Sequence, residues 1–171
     1  MTQDMRRIIA AFFLTLLGVA TALGDEAMTR VETYGDWTLL ADGKAPHFFC
    51  FVTSEPTASD PQSPARDAPR AYISAWPKDG IKGEVSFRMG FRIKETAEGT
   101  ATVSPGGFRL FGSKDRAYVS DSTQELKLVE AMRKGSTMTI AIPSERGNTV
   151  TDTYSLNGIG LALQKLQETC F

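Results

Sequence analysis

An alternation of apolar and polar residues over positions 85–94 constrains the fold of this chain more than any other feature of its sequence. The apolar positions are Val85, Phe87, Met89, Phe91 and Ile93. A period of two residues places alternate side chains on opposite faces of a strand, so the segment predicts a β-strand. Its polar face carries Arg88, Arg92 and Lys94. These cations are a candidate binding face for an acidic partner or an anionic lipid headgroup, and a solvated outer face is the alternative.

The same period of two residues recurs elsewhere, most clearly at Met138, Ile140 and Ile142. Shorter strand candidates are separated by turns that contain glycine. They span residues 34–40, 48–53, 71–76, 108–111 and 149–154. Many short strands with turns between them predict a mainly β fold, either a sandwich or a barrel.

Two segments show the spacing of helices instead. The first begins at Ser122, where Ser122 and Glu125 have the positions of a capping box, and ends near Gly135. Its predicted buried face consists of Leu126, Val129 and Met132. The second helix lies at the C-terminal end of the sequence. Its predicted apolar stripe consists of Leu156, Ile159, Leu163, Leu166 and Cys170.

Residues 1–22 have the composition of a cleaved secretory signal peptide. Arg6 and Arg7 precede the uncharged apolar stretch 8–19, and Ala20-Thr21-Ala22 supplies the small residues that a signal peptidase recognises. This stretch is shorter than the roughly 20 residues that a membrane-spanning helix needs. A buried N-terminal helix is the alternative. We expect residues 23–171 to form a single periplasmic domain without a transmembrane span, and outer-membrane association or secretion are further possibilities.

The two cysteines, Cys50 and Cys170, both lie in the predicted exported part of the chain. In an oxidising compartment, such a pair predicts a disulfide bond. The alternative is a reactive thiol, but neither cysteine has a second cysteine or a histidine beside it in the sequence. By contrast, residues 53–69 contain four prolines and predict a loop without regular structure.

The composition argues against several classes of function. With 19 basic and 20 acidic side chains, the chain lacks the basic excess of a nucleic-acid-binding protein. One histidine and two cysteines are too few for an ordinary structural zinc site, and the sequence has neither a serine-hydrolase elbow nor a phosphate-binding loop. We therefore predict no cofactor, no metal and no catalytic residue. His47 has the setting of a surface residue rather than of a general base.

Asp152 shares its parity with Val150, Tyr154 and Leu156, which places its carboxylate on the buried face of a predicted strand. A buried carboxylate must be paired or hydrogen-bonded. Arg146 lies just across the predicted turn, so we expect Asp152 and Arg146 to form a buried structural pair, with a catalytic acid at Asp152 as the alternative.

Several of these residues also resemble the invasion-associated locus B (IalB) family of exported alphaproteobacterial proteins. The matching residues are Tyr34-Gly35-Asp36-Trp37, Cys50, Met132-Arg133-Lys134-Gly135, Arg146-Gly147, Asp152-Thr153-Tyr154-Ser155-Leu156 and Cys170. The resemblance implies a non-enzymatic envelope protein with an immunoglobulin-like, antiparallel β-sandwich, located in the periplasm or at the cell surface. For such a protein we expect binding to an unidentified envelope or host protein, or peripheral contact with a membrane surface. The family name refers to entry into host red cells, but similar proteins occur in bacteria that invade nothing.

Two other classes of function remain open from the residues alone. One is a hydrolase with a non-standard site, because the absence of known motifs is weak evidence. The other is a small outer-membrane β-barrel, which the chain length allows. The helical spacing of residues 156–170 argues against a final membrane strand.

Overall fold

The computed structural model describes residues 27–61 and 66–171, and the predicted signal peptide lies outside them. The described residues form eleven strands, one short 3₁₀ turn at Pro77–Asp79 and two α-helices. The strands are β1 (Thr29–Tyr34), β2 (Trp37–Ala41), β3 (Cys50–Ser54), β4 (Ala58–Asp60), β5 (Arg70–Trp76), β6 (Ile81–Arg88), β7 (Glu98–Val103), β8 (Gly106–Ser113), β9 (Arg116–Val119), β10 (Thr137–Pro143) and β11 (Thr149–Ser155). The helices are α1 (Ser122–Lys134) and α2 (Ile159–Cys170).

All eleven strands are hydrogen-bonded into one sheet in the order β1-β2-β3-β5-β6-β9-β8-β7-β10-β11-β4, and their pairings are antiparallel. The sheet curls so that strands distant in this order face each other. The ring of Phe87 on β6 lies 6.4 Å from that of Tyr154 on β11. The indole nitrogen of Trp37 on β2 donates a hydrogen bond of 3.0 Å to the Ser155 carbonyl on β11. The prediction of a mainly antiparallel, sandwich-like β fold with two helices is therefore confirmed.

The alternating pattern of β10 is confirmed, because Met138, Ile140 and Ile142 are all fully buried. The predicted stripe of the second helix is also confirmed. Each of its members from Leu156 to Cys170 is buried, and α2 packs on β2, β3 and β5. The helix and the inner face of the sheet thus share one apolar core.

The strand predicted over residues 85–94 is wrong beyond Arg88, where β6 ends. The backbone turns at Gly90, which has a positive φ of 71°. Ile93 then forms an isolated bridge to Ser144, next to β10. Met89 and Ile93 are nevertheless buried. The apolar spacing therefore does not reflect a continued strand. The segment after β6 bonds to the turn between β8 and β9 and to the end of β10, and its apolar side chains enter the same core.

The start and the buried face of α1 differ from the prediction. Asp121, rather than Ser122, is the N-cap, and its carboxylate accepts a hydrogen bond of 2.9 Å from the Gln124 backbone N–H. Leu126 is 74% exposed, whereas Leu128 and Met132 are fully buried. The side chain of Glu125 faces the sheet and accepts a hydrogen bond from the Val85 N–H. This orientation of the helix turns Leu126 outward.

The loop predicted over residues 53–69 is wrong in two places. Thr53 and Ser54 are the last residues of β3, and Ala58–Asp60 form β4. Strand β4 pairs with β11, and Asp152 of β11 lies opposite Ser59. These backbone hydrogen bonds satisfy an edge of β11, so a strand forms here despite the nearby prolines.

Candidate functional site

Cys50 and Cys170 form a disulfide bond, as predicted, with their Cα atoms 6.3 Å apart. Cys50 begins β3 and Cys170 ends α2, and both residues are buried. The bond therefore attaches the last helix to the sheet. Its buried position is that of a structural disulfide rather than of an accessible redox pair.

Asp152 is fully buried, as predicted, but its partner is Arg66 rather than Arg146. The guanidinium group of Arg66 bonds to the Asp152 carboxylate, to the Ser59 hydroxyl at 2.7 Å and to the Met89 carbonyl at 2.9 Å. Ser59 donates a further hydrogen bond of 2.6 Å to Asp152. Arg146 lies exposed in the turn between β10 and β11. The predicted pair is therefore wrong, because Asp152 faces the core while the turn that carries Arg146 faces solvent.

The buried cluster around Asp152 continues to Tyr154. Among the described residues, the Asp152 Oδ2 atom and the Tyr154 hydroxyl are buried without a hydrogen-bond partner. Burial raises the pKa of the Tyr154 hydroxyl, and the nearby charge of Asp152 raises it further. Because both groups are enclosed in the core, we assign them a structural role.

Arg88, Arg92 and Lys94 are not gathered on one strand. Arg88 ends β6 and lies in ion pairs with Asp67 at 3.3 Å and Asp115 at 3.6 Å. Arg92 and Lys94 follow the turn at Gly90 and are exposed, and Arg92 lies 3.7 Å from a carboxylate oxygen of Glu145. The prediction of one cationic strand face fails because the strand on which it depends ends at Arg88.

A different face of the sheet carries a continuous group of aromatic side chains, which we call the aromatic face. It consists of the rings of Phe49, Phe51, Tyr72 and Trp76, together with the side chain of Arg116 that lies over Tyr72. The ring of Phe51 lies 5.4 Å from that of Phe49 and 5.6 Å from that of Tyr72, and Phe49 lies 4.9 Å from Trp76. The guanidinium carbon of Arg116 lies 5.0 Å from the centre of the Tyr72 ring.

The aromatic face is turned away from the core. The alternate residues on β3 and β5, among them Val52 and Ile73, are fully buried, whereas the rings of the face are half-buried. On the same side of the sheet, Phe111 on β8 stacks on Tyr118 of β9 at 5.5 Å and is 47% exposed. Rings in mutual contact lose little entropy on binding, and aromatic residues and arginine are enriched in protein interfaces. The geometry is therefore that of a contact surface.

The aromatic face was not predicted from the sequence, although a signal for it exists. Phe49 and Phe51 flank Cys50, and Tyr72 and Trp76 both have the parity opposite to that of Ile73. Once the disulfide assigns Cys50 to the inner side, strand alternation directs both phenylalanines outward. The pairing of β3 with β5 was needed to show that the two sets of rings meet.

A polar groove of about 840 Å³ lies between the start of α1 and strands β7 and β8. Its lining includes Glu98, Thr100, Arg109, Asp121 and Gln124. Arg109 lies 3.7 Å from Glu98, and Asp121 caps α1 through Gln124. Each charged group of the groove therefore already has a partner, either the opposite charge or the N-terminal backbone of α1.

Two further features concern the predicted absence of metal and membrane segments. Among residues 27–61 and 66–171, no three His, Cys, Asp or Glu side chains lie close enough together to hold a metal ion. In the same residues, neither helix has the length and hydrophobicity needed to cross a membrane.

His47 lies half-buried in the loop before β3, where its Nδ1 atom contacts the Asp42 carbonyl.

Two of the motifs that carry the family resemblance, Tyr34–Trp37 and Asp152–Leu156, lie next to each other in the structure. The Trp37 indole N–H donates a hydrogen bond to the Ser155 carbonyl, and the Asp36 N–H donates one of 3.1 Å to the Asn157 carbonyl. Gly158 is so close to Tyr34 that a Cβ atom there would lie 2.1 Å from the Tyr34 carbonyl oxygen. The two sequence motifs therefore form one structural unit.

Together these features define a disulfide-closed, sandwich-like β domain with a buried ion pair and an aromatic outer face. The model of the family described as "Invasion associated locus B (IalB) protein" matches residues 37–167, and the chain belongs to this family. The crystal structure of invasion associated protein B from Bartonella henselae has the same fold, with a TM-score of 0.55 and 19% sequence identity. The alignment covers 80% of this chain and 95% of that one. No curated protein gives a significant match to the sequence.

Proposed function

We propose that this protein is an exported, non-enzymatic envelope protein that binds another protein through its aromatic face. The observation that carries the proposal is the unbroken series of ring contacts from Trp76 to Tyr72, ending at Arg116, on the outer side of the sheet. Such rings bury a large apolar area on association, and arginine and aromatic residues supply most interface hot spots. The groups of this face make contacts and hold no paired nucleophile and base.

Export is part of the proposal and is supported by the charged start, the short apolar stretch and the small residues that end at Ala22. The disulfide between Cys50 and Cys170 fits an oxidising compartment such as the periplasm. Mass spectrometry of the periplasmic fraction should show a chain that starts close to Leu23. A chain that begins at Met1 and is retained in the inner membrane would contradict export.

The partner is an envelope protein of the same cell or a protein of a host. The proposed role is connected with invasion. It is supported by family membership and by the name of the Bartonella henselae neighbour. Crosslinking in the intact bacterium, with and without host cells, distinguishes the two sources. A photoreactive phenylalanine at Phe51 places the probe within the aromatic face, and the same probe at Leu126, which is 74% exposed on α1, is the matched control.

The captured partner is then purified and its affinity for variants is measured directly. Phe51→Ser, Tyr72→Ser and Arg116→Ala should each weaken binding by roughly tenfold or more, as expected for hot-spot residues. Leu126→Ser should leave the affinity unchanged, and unaltered thermal unfolding should show that each variant is folded. Equal capture at Phe51 and Leu126, or binding that the three variants do not weaken, would contradict the proposal.

A further inference from the structure

We infer that the end of the domain beside the disulfide docks onto an anionic lipid surface. The surface consists of Phe48, Ile81, Phe171, Lys78 and Lys82, which we call the disulfide-end patch. The aromatic face does not include these residues. The inference therefore adds a second site to the protein and does not depend on the proposed protein partner.

The backbone brings the residues of the disulfide-end patch to one end of the sheet. Phe48 lies two residues before Cys50, and Phe171 directly follows Cys170, so the disulfide holds these two segments together. Lys78 lies in the turn between β5 and β6. The Gln167 side chain of α2 donates a hydrogen bond of 2.6 Å to the Lys82 carbonyl, which joins the start of β6 to the last helix.

The apolar members of the patch project into solvent. Phe48 is 52% exposed, Phe171 is 54% exposed and Ile81 is 38% exposed. Single exposed apolar residues are common on protein surfaces, but a group of them at one end marks an interaction site. The rings of the aromatic face contact one another. The rings of Phe48 and Phe171, in contrast, are each in contact with the side chain of a lysine.

The two lysines lie over these rings. The ammonium nitrogen of Lys78 is 4.6 Å from the centre of the Phe48 ring, and that of Lys82 is 5.5 Å from the centre of the Phe171 ring. Within the described residues, neither ammonium group is in a salt bridge with a carboxylate. Asp79, exposed in the same turn, is the acidic side chain between them in the sequence.

A cation beside an exposed apolar side chain matches the boundary of an anionic bilayer. The rings and Ile81 can enter the region between headgroups and acyl chains, while the flexible lysine stems keep their ammonium groups among the phosphates. Each lysine near an anionic lipid surface adds attraction that extends over about a Debye length. The charge and the projecting rings therefore favour a lipid surface over a protein partner at this end.

The test is sedimentation of the oxidised protein with vesicles of phosphatidylcholine, either alone or mixed with phosphatidylglycerol. The protein is isolated from its own cells and its N-terminus is determined, so that all variants carry the same leading residues. We expect binding to the mixed vesicles, weakened by salt, and much weaker binding to phosphatidylcholine alone. The double variant Lys78→Gln, Lys82→Gln should lose about fivefold in affinity per lysine.

Matched controls separate this site from other exposed residues. Phe48→Ser, Phe171→Ser should reduce vesicle binding, whereas Leu126→Ser, Leu161→Ser should not, although these leucines are 74% and 48% exposed. Lys94→Gln, Lys127→Gln is the control for charge, because both lysines are exposed elsewhere. Phe51→Ser, in the aromatic face, should leave vesicle binding unchanged.

A second measurement reports orientation. Trp76 pairs with Ile81 of the patch across β5 and β6, whereas Trp37 is fully buried. Brominated phosphatidylglycerol should quench the tryptophan fluorescence of the protein, and Trp76→Phe should remove most of this quenching. The inference is overturned if neither kind of vesicle binds, if control and patch variants lose equal affinity, or if the patch variants weaken binding only to a protein partner.

Discussion

Arg66 and Asp152, which are 86 positions apart in the sequence, form a buried ion pair that ties the proline-rich segment to strand β11. The side chain of Arg66 is 9% exposed and that of Asp152 is fully buried. Ser59 and the Met89 carbonyl complete the hydrogen bonding of the guanidinium group. This pair, rather than the predicted one with Arg146, joins Arg66 to strand β11, next to the pairing of β4 with β11.

Arg66→Ala should destabilise the domain by about 3–5 kcal/mol, because it leaves the Asp152 carboxylate buried without a cation. Urea unfolding monitored by circular dichroism measures the change in the free energy of unfolding. Arg146→Ala is the matched control and should change this free energy by less than about 0.5 kcal/mol, since Arg146 is exposed.

The double variant Arg66→Met, Asp152→Leu should be more stable than Arg66→Ala, because it removes both charges and retains apolar volume. A single variant Arg66→Ala that unfolds like the wild type would show that the pair contributes little.

Loss of the Cys50–Cys170 disulfide should reduce stability by roughly 2–5 kcal/mol, since the bond closes a loop of 120 residues in the unfolded chain. Cys50→Ser, Cys170→Ser and the double variant should have nearly equal melting temperatures, because each lacks the same bond. Reduction of the wild type should lower its melting temperature to a similar value. Two free thiols in the oxidised, denatured protein would contradict the bond itself.

Gly158→Ala should destabilise the protein much more than Gly147→Ala. Both glycines have positive φ angles, 87° and 89°, so an alanine is strained by roughly 1–2 kcal/mol at either position. A Cβ atom at Gly147 meets no atom within 4 Å, whereas at Gly158 it would lie 2.1 Å from the Tyr34 carbonyl oxygen. The difference between the two variants in thermal unfolding isolates the close contact of the two motifs. Equal losses would show that this contact can relax.

The contribution of Glu125 to the free energy of unfolding should fall as pH rises. Burial raises the pKa of its carboxyl, the charge of Glu84 adds to this effect, and the hydrogen bond from the Val85 N–H opposes it. Because the folded pKa lies above the unfolded one, this contribution is fully present below the unfolded pKa and is lost as pH rises through the folded pKa. Glu125→Gln keeps an acceptor for Val85 and should remove that part of the decline.

The measurement is urea unfolding of wild type and Glu125→Gln between about pH 3 and about pH 8, a range that spans the ordinary glutamate pKa. Glu130→Gln is the control with the opposite sign, because the hydrogen bond from Lys134 lowers the pKa of Glu130. Its contribution is present above the unfolded pKa and is lost as pH falls. Parallel pH profiles for Glu125→Gln and the wild type would contradict the assignment.

The sequence by itself determined the features that depend on local spacing. Alternation at Met138, Ile140 and Ile142 identified a half-buried strand, and three- and four-residue spacing identified the buried stripe of α2. The parity of Asp152 identified a buried carboxylate that needs a partner. The family resemblance also followed from short motifs. In each case a period or a motif in the chain is sufficient, because neighbouring residues set the direction of a side chain.

Tertiary structure alone decided which distant residues meet. Arg66 reaches Asp152 because β4 pairs with β11, and the aromatic face exists because β3 lies beside β5. Strand β6 ends at Arg88 and the backbone turns at Gly90, which separates Arg88 from Arg92 and Lys94. Contacts of this kind depend on the order of strands in the sheet. Backbone hydrogen bonds between strands carry no side-chain identity, so the sequence pattern leaves that order unspecified.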